Sequence, residues 1–158
     1  MSYNRGKKFE KQFERDWNAS FVHPFLLRLK DNTSGYFGSS RNPSDYIAFQ
    51  DGTLFLLECK SHDGNTFPFS KFTQYDDLVS YEGIPGVEPG LILWMKEHDR
   101  VMFFPISTIS EMLASGEKSV NVKKLEGRDF LELPSKKKRV FMTTRYDDII
   151  DYVRKRRK

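Results

Sequence analysis

The 158-residue sequence has a single cysteine, Cys59, so no disulfide can form within it, and a reducing cytoplasm is the expected setting. Long apolar runs are missing: no stretch reaches the roughly 20 residues that a membrane-spanning helix needs. Met1 to Lys8 is polar and basic, without the apolar segment of a secretory signal. No membrane association is therefore expected. There is no Gly-rich phosphate loop and no dinucleotide fingerprint, which disfavours NTP-driven or redox chemistry and any nucleotide cofactor. The histidines, His23, His62 and His98, are far apart and have no second ligand type beside them, so a zinc site is not expected. Repeats and low-complexity linkers are lacking too, and the length suits one domain spanning 1–158.

What the chain does have is aromatic side chains, 14 Phe and 7 Tyr, enough to dominate a core, and unevenly distributed charge. Lys136 to Lys158 holds ten Lys/Arg and three Asp, a local +7, so the first 135 residues carry −3 of the net +4. A mildly acidic body with a basic segment, 136–158, suits a protein that gathers carboxylates at a metal and holds a polyanion nearby. A solvated basic tail that serves only solubility accounts for the same charges equally well.

Phe9, Phe13 and Trp17 recur at four-residue intervals and predict a helix from about Lys7 to Ala19, with Glu10 and Glu14 on a neighbouring face. Phe21 to Leu29 reads as a strand interrupted at Pro24, and Asp31 to Pro43 as a loop rich in Asn, Ser and Gly. Asp45 to Phe49 and Leu54 to Lys60 read as two strands joined by an Asp51-Gly52 hairpin, the second apolar enough to be buried on both faces. A helix capped by Ser70 is expected from Lys71 to about Tyr81. Strands follow at Leu91–Met95 and Val101–Phe104, then a helix from Ser107 to Leu113 ended by Gly116. Short strand-like pieces lie near Ser119–Val122 and Phe130–Leu133, before a final amphipathic stretch, Tyr146 to Arg157. The order implies an α/β domain with a mixed central sheet flanked by helices.

The chemistry concentrates on Asp45 and on Glu58-Cys59-Lys60. Alternate residues of a strand share a face, so Glu58 and Lys60 emerge together while Cys59 points into the core as a buried thiol. The hairpin returns Asp45 beside Glu58, which provides two hard oxygen ligands of the kind Mg2+ or Mn2+ takes. An ammonium at Lys60 can orient a water or offset the charge that develops on a phosphate. Glu10, on the leading helix, offers a further carboxylate. E-x-K alone is a weak signal, because exposed strands pair such residues for solubility; an apolar Leu54–Leu57 run just before it argues for a central strand and a site. Arg41, Lys30 and Arg28, beside the loop, are candidates for phosphate contacts, Tyr36 and Phe37 for base stacking, and Lys136, Lys137, Lys138 and Arg139 for gripping DNA.

Asn4-Arg5-Gly6-Lys7-Lys8-Phe9-Glu10, Pro43-Ser44-Asp45-Tyr46, Leu57-Glu58-Cys59-Lys60 and Phe67-Pro68-Phe69 together resemble Holliday junction resolvases of the RecU type, phage versions included, within the PD-(D/E)xK nuclease superfamily. The motif order is also similar to that of archaeal Hjc-type resolvases. The resemblance spans about Asn4 to Ile109. It implies a restriction-endonuclease-like core and a homodimer that nicks branched four-way DNA symmetrically with Mg2+. It implies Asp45 and Glu58 as metal ligands, Lys60 as the catalytic lysine and Glu10 as the N-terminal acidic residue. It also places Ser39 (or Ser40) near the scissile phosphate and matches Gln74 to a glutamine on the helix after the E-x-K strand. The Lys30–Ser44 segment is shorter than the stalk of RecU-type enzymes. That leaves open a restriction-like or repair nuclease acting on duplex or single-stranded DNA, and beyond it a non-catalytic nucleic-acid-binding protein.

Overall fold

The computed structural model describes residues 3–30, 42–139 and 141–158, with side chains from residue 6 onward. Helix α1, Tyr3–Ser20, begins earlier than its apolar spacing alone predicts, and it buries Phe9, Phe13 and Trp17 as one stripe. The strand expected at Phe21–Leu29 is confined to β1, Leu26–Arg28. Pro24 has no N–H to give a ladder, and the next amide, on Phe25, donates to the Gln50 side chain at 2.6 Å.

β2 (Tyr46–Gln50) and β3 (Thr53–His62) form the expected hairpin, with φ of 48° at Asp51 and 79° at Gly52. Positive φ at both turn residues matches the right-handed twist of the strands, and Asp-Gly tolerates it. After β4 (Thr66–Pro68) the long helix expected from Lys71 does not form. A 3-10 turn at Phe69–Lys71 is followed, after Phe72 leaves helical φ/ψ, by a short α2, Tyr75–Val79, which has Gln74 rather than Ser70 at its N-cap. Phe72 and Leu78 are still both buried. Their spacing reported which side chains go inward, and two turns separated by a break accomplish that as well as one continuous helix does.

β5 (Val87–Met95) and β6 (Arg100–Pro105) are joined across a 3-10 turn, and α3 (Ile106–Ala114) follows. The remainder is β7 (Ser119–Asn121), β8 (Leu131–Leu133), β9 (Ser135–Lys137), β10 (Met142–Thr144) and α4 (Asp148–Arg156). Six strands make the central sheet in the order β1-β2-β3-β5-β6-β8, while β4 pairs with β7 and β9 with β10. β3 and β5 run parallel and the other neighbours antiparallel, so the sheet is mixed.

Each sheet face has its own core. On one, Tyr46, Phe55, Leu57 and Cys59 pack against Phe13 and Trp17 of α1 and Ile149 and Val153 of α4. On the other, Leu56, Leu91 and Leu93 pack against Leu78 of α2 and Ile106 and Ile109 of α3. The architecture is therefore an α/β sandwich of three layers, with helices on both faces of the sheet. The second face is covered unevenly. Over β1 and β2 it leaves Phe25, Leu27 and Phe49 each about half exposed, with Ile47 between them in the register. Among the described residues, no helix is long and apolar enough to cross a membrane.

Candidate active site

The hairpin register continues one step past Tyr46↔Leu57, which sets Asp45 opposite Glu58. Asp45 N–H donates to Glu58 Oε2 at 3.1 Å, and Asp45 Oδ2 accepts from Cys59 N–H at 3.0 Å. Glu58 thus holds the Asp45 amide and Asp45 holds the amide that follows Glu58, which fixes the two carboxylates relative to each other. Lys60 Nζ lies 3.2 Å from Glu58 Oε1. Glu58 is only 1% exposed, whereas Lys60 keeps access to solvent.

Electrostatics distinguishes this group from an ordinary ion pair. Burial first, and then the Asp45 carboxylate beside it, push Glu58 up to about 8; Lys60 pulls the other way without offsetting them. Glu10 is also held above the usual carboxylate range, by burial and then by Asp45, against the opposing pull of Arg28 and Lys60. Asp45, Glu58, Glu10 and Lys60 therefore share one electrostatic neighbourhood. Among the described residues these three carboxylates face two cations, Lys60 and Arg28, and a divalent cation would relieve their repulsion. Among the described residues no three His, Cys, Asp or Glu side chains converge as a ready-made cage. A cation held by Asp45 and Glu58 would fill its remaining positions with water or phosphate oxygens, as Mg2+ commonly does.

Arg28 was a candidate phosphate contact, but its Nη2 donates to Glu10 Oε2 at 2.7 Å. Nothing in the sequence spacing links β1 to α1, so this pairing was not legible there. Tyr46 is a second unforeseen part. Its buried hydroxyl donates to Glu14 Oε1 at 2.7 Å and reaches the Glu10 carbonyl at 3.3 Å, which pins the acidic face of α1 to the start of β2. The buried Cys59 thiol is pushed well up by burial, which keeps it un-ionised.

The other candidates lie elsewhere. Gln74 stands at the N-cap of α2, where its side chain accepts from Thr73 Oγ1 at 3.2 Å. Lys30 is exposed, and its carbonyl accepts from Asn42 Nδ2 at 2.5 Å. Ser39, Arg41 and Tyr36 fall outside the described residues. Lys136 and Lys137 belong to β9, and Lys138 and Arg139 follow it, all exposed; Lys137 Nζ lies 3.3 Å from Asp99 Oδ2. Lys136 and Lys137 are thus part of a paired strand rather than a free tail.

No protein-family model matches the chain, and no curated protein matches it. Among solved structures it is similar to Hjc from Archaeoglobus fulgidus, described as a Holliday junction resolvase from an archaeal hyperthermophile. The two share 23% sequence identity over 65% of this chain and 78% of that one, with a TM-score of 0.47.

Proposed function

We propose that this chain is a Mg2+-dependent DNA endonuclease of the PD-(D/E)xK type, selective for four-way junctions and active as a homodimer that makes paired symmetric nicks. The observation that carries the nuclease reading is the convergence of Asp45, buried Glu58 and Lys60 at one end of the β2–β3 hairpin, with more carboxylate charge than the lysine offsets. A purely structural ion pair does not need a second carboxylate pressed against it. The choice of junction rests on the motif resemblance to RecU-type and Hjc-type resolvases.

In the proposed mechanism Asp45 and Glu58 would hold Mg2+ (or Mn2+), which would supply Lewis-acid polarisation of the phosphate. Glu58 must give up its proton for this, and the crossed hydrogen bonds to the Asp45 and Cys59 amides keep both carboxylates from turning away. Lys60, the more accessible of the pair, has an ammonium that would orient the attacking water and offset the charge that develops on the phosphate. Glu10 completes the site once Arg28 is drawn to the DNA backbone.

The proposed homodimer would use the uncovered sheet face at Phe25, Leu27 and Phe49, because a half-exposed aromatic and aliphatic surface of this kind suits association between copies. The free, buried Cys59 suits a reducing compartment such as the cytoplasm.

The test is cleavage of labelled synthetic four-way junction, linear duplex and single strand, each in Mg2+ and in EDTA. Paired symmetric nicks in the junction alone, lost in EDTA, are expected. Equal cutting of the linear DNAs would overturn the junction claim and favour a restriction-like or repair nuclease, which the short segment between β1 and β2 also suits. No cutting of any DNA, with binding intact, would leave a nucleic-acid-binding protein.

A further inference from the structure

Beside the candidate site, α1, the C-terminal end of β5 and the β9–β10 pair enclose a groove of about 560 Å3. Its rim is cationic. Lys8, Lys11 and Arg15 come from α1 and Lys96 from the turn after β5, while Asp63, 3.3 Å from Lys96, is the one acidic residue lining it among the described residues. Its floor is apolar and aromatic. The half-buried Trp94 packs against Phe9 with ring centroids 5.4 Å apart, and Phe141, 42% exposed, stands on the opposite wall. The Trp94 Nε1–H is buried and finds no acceptor among the described residues.

These features fit one kind of occupant. A phosphodiester backbone is matched by the basic rim, and an aromatic floor offers nothing to a base still stacked inside a duplex. An unstacked base offers a π-face for Trp94 or Phe141. The groove also adjoins the helix that supplies the candidate site's Glu10, since Phe9 precedes it on α1; Trp94, paired with Ser61, lies on the sheet face opposite Lys60. The basic segment of the sequence joins it too, since Lys136 to Arg139 and the groove-lining Phe141 and Met142 belong to the same antiparallel pair and its connection.

We propose that this groove is a subsite for one unpaired nucleotide of a DNA strand, its base on the Trp94–Phe141 floor and its phosphates on the Lys8, Lys11, Arg15 and Lys96 rim. It rests on the nuclease reading for the identity of the strand but not for the binding itself, so the two can be tested apart.

The experiment measures binding of the full chain in EDTA, by anisotropy of labelled duplexes that carry one unpaired nucleotide, the same duplex with an abasic residue there, or no bulge. Wild type should bind the base-containing bulge about tenfold more tightly than the abasic one. Phe141→Ala, at an exposed position whose loss leaves the core intact, should erase most of that preference while fully paired duplex binds as before. Trp94→Leu should do the same, with its far-UV circular dichroism checked against wild type. Reversing charge with Lys11→Glu should weaken all three DNAs alike and flatten the salt dependence. Equal affinity of wild type for base and abasic bulges would overturn the subsite. So would a change in oligomeric state in Phe141→Ala, which would make the groove a contact between copies. If no DNA is cut in Mg2+ but the base preference persists, the nuclease reading fails and the subsite stands; cutting without a base preference is the reverse.

Discussion

The chain gathers two clusters of charge around a buried glutamate, Glu88 in one and Glu58 in the other, and they differ in how many donors each is given. At the C-terminal end of the fold, Arg156 donates to Glu88 at 2.8 Å, to Asp129 at 2.7 Å and to Ser107 at 2.6 Å, and Tyr152 adds its hydroxyl to Asp129 at 2.6 Å. Arg157 lies 3.7 Å from Glu88 as well. Here donors are abundant: burial works to raise Asp129, but the hydrogen bonds from Tyr152 and Arg156 outweigh it and hold the carboxyl below its usual range, while the deeper Glu88 is still raised by burial against the pull of Arg156 and Arg157. At the β2–β3 end the balance is reversed, with Glu58 and Asp45 pressed together and Lys60 insufficient to hold Glu58 ionised near neutrality. The first cluster ties α4 to β5 and asks for no further partner. The second, among the described residues, sets three carboxylates against Lys60 and Arg28, the condition in which a dication is gained rather than displaced.

The largest effect that separates them is on cleavage. Glu58→Ala removes a buried ligand while the basic surface stays, so cleavage in Mg2+ should fall by about a thousandfold or more with DNA affinity nearly unchanged. Retained cleavage would sink the site assignment. Arg156→Ala should behave inversely. It removes the donor shared by buried Glu88 and half-exposed Asp129, which keep Arg157 and Tyr152, at a cost of about 2 kcal/mol, or a melting point lower by about 6 °C at this size. Cleavage at a temperature where the variant is folded should equal wild type. If Arg156→Ala melts like wild type, the cluster is not the clamp its geometry implies.

The pH dependence of stability comes next in size. The Glu58 carboxyl keeps its proton to about 8 in the folded chain but only to its ordinary 4.5 when unfolded. Between those values the folded state binds more protons, so this group's contribution is fully present below 4.5 and is lost as pH rises toward 8. In EDTA the melting point should therefore drop between pH 5 and pH 8, and Glu58→Gln, which cannot ionise, should drop less. Thermal melts of the two proteins across that range decide it; parallel curves would mean that burial and Asp45 do not hold the proton on Glu58.

What could be read from the sequence follows the same division. The Asp-Gly turn and strand alternation were enough to set Asp45 opposite Glu58 and to turn Cys59 inward, because both rules act over a few residues. Phe9, Phe13 and Trp17 likewise announced α1. The helix expected from Lys71 failed because burial of Phe72 and Leu78 does not require an unbroken helix. The Arg156 cluster was hidden for a different reason: Glu88, Ser107, Asp129 and Arg156 are far apart in the chain, and only the closed fold brings them together. Arg28 beside Glu10 is the same kind of case, at the edge of the candidate site itself.

That last pairing makes the subtlest prediction. Arg28 is 45% exposed and its bond to Glu10 is a surface contact, so Arg28→Ala should change stability by less than about 0.5 kcal/mol. Its effect on function depends on what Arg28 does once DNA arrives. As a guanidinium that merely occupies Glu10, it competes with a cation for that carboxylate, and its loss should lower the Mg2+ concentration for half-maximal cleavage, by about twofold to threefold, with DNA affinity unchanged. As a group that leaves Glu10 for a phosphate, it should instead weaken DNA binding and reduce the salt dependence by about one counterion. A Mg2+ titration and a salt titration on the same variant separate the two. The proposed mechanism, in which DNA draws Arg28 away, requires the second result; an improved Mg2+ response with unaltered binding would leave Arg28 as a plug on Glu10 rather than a contact to the substrate.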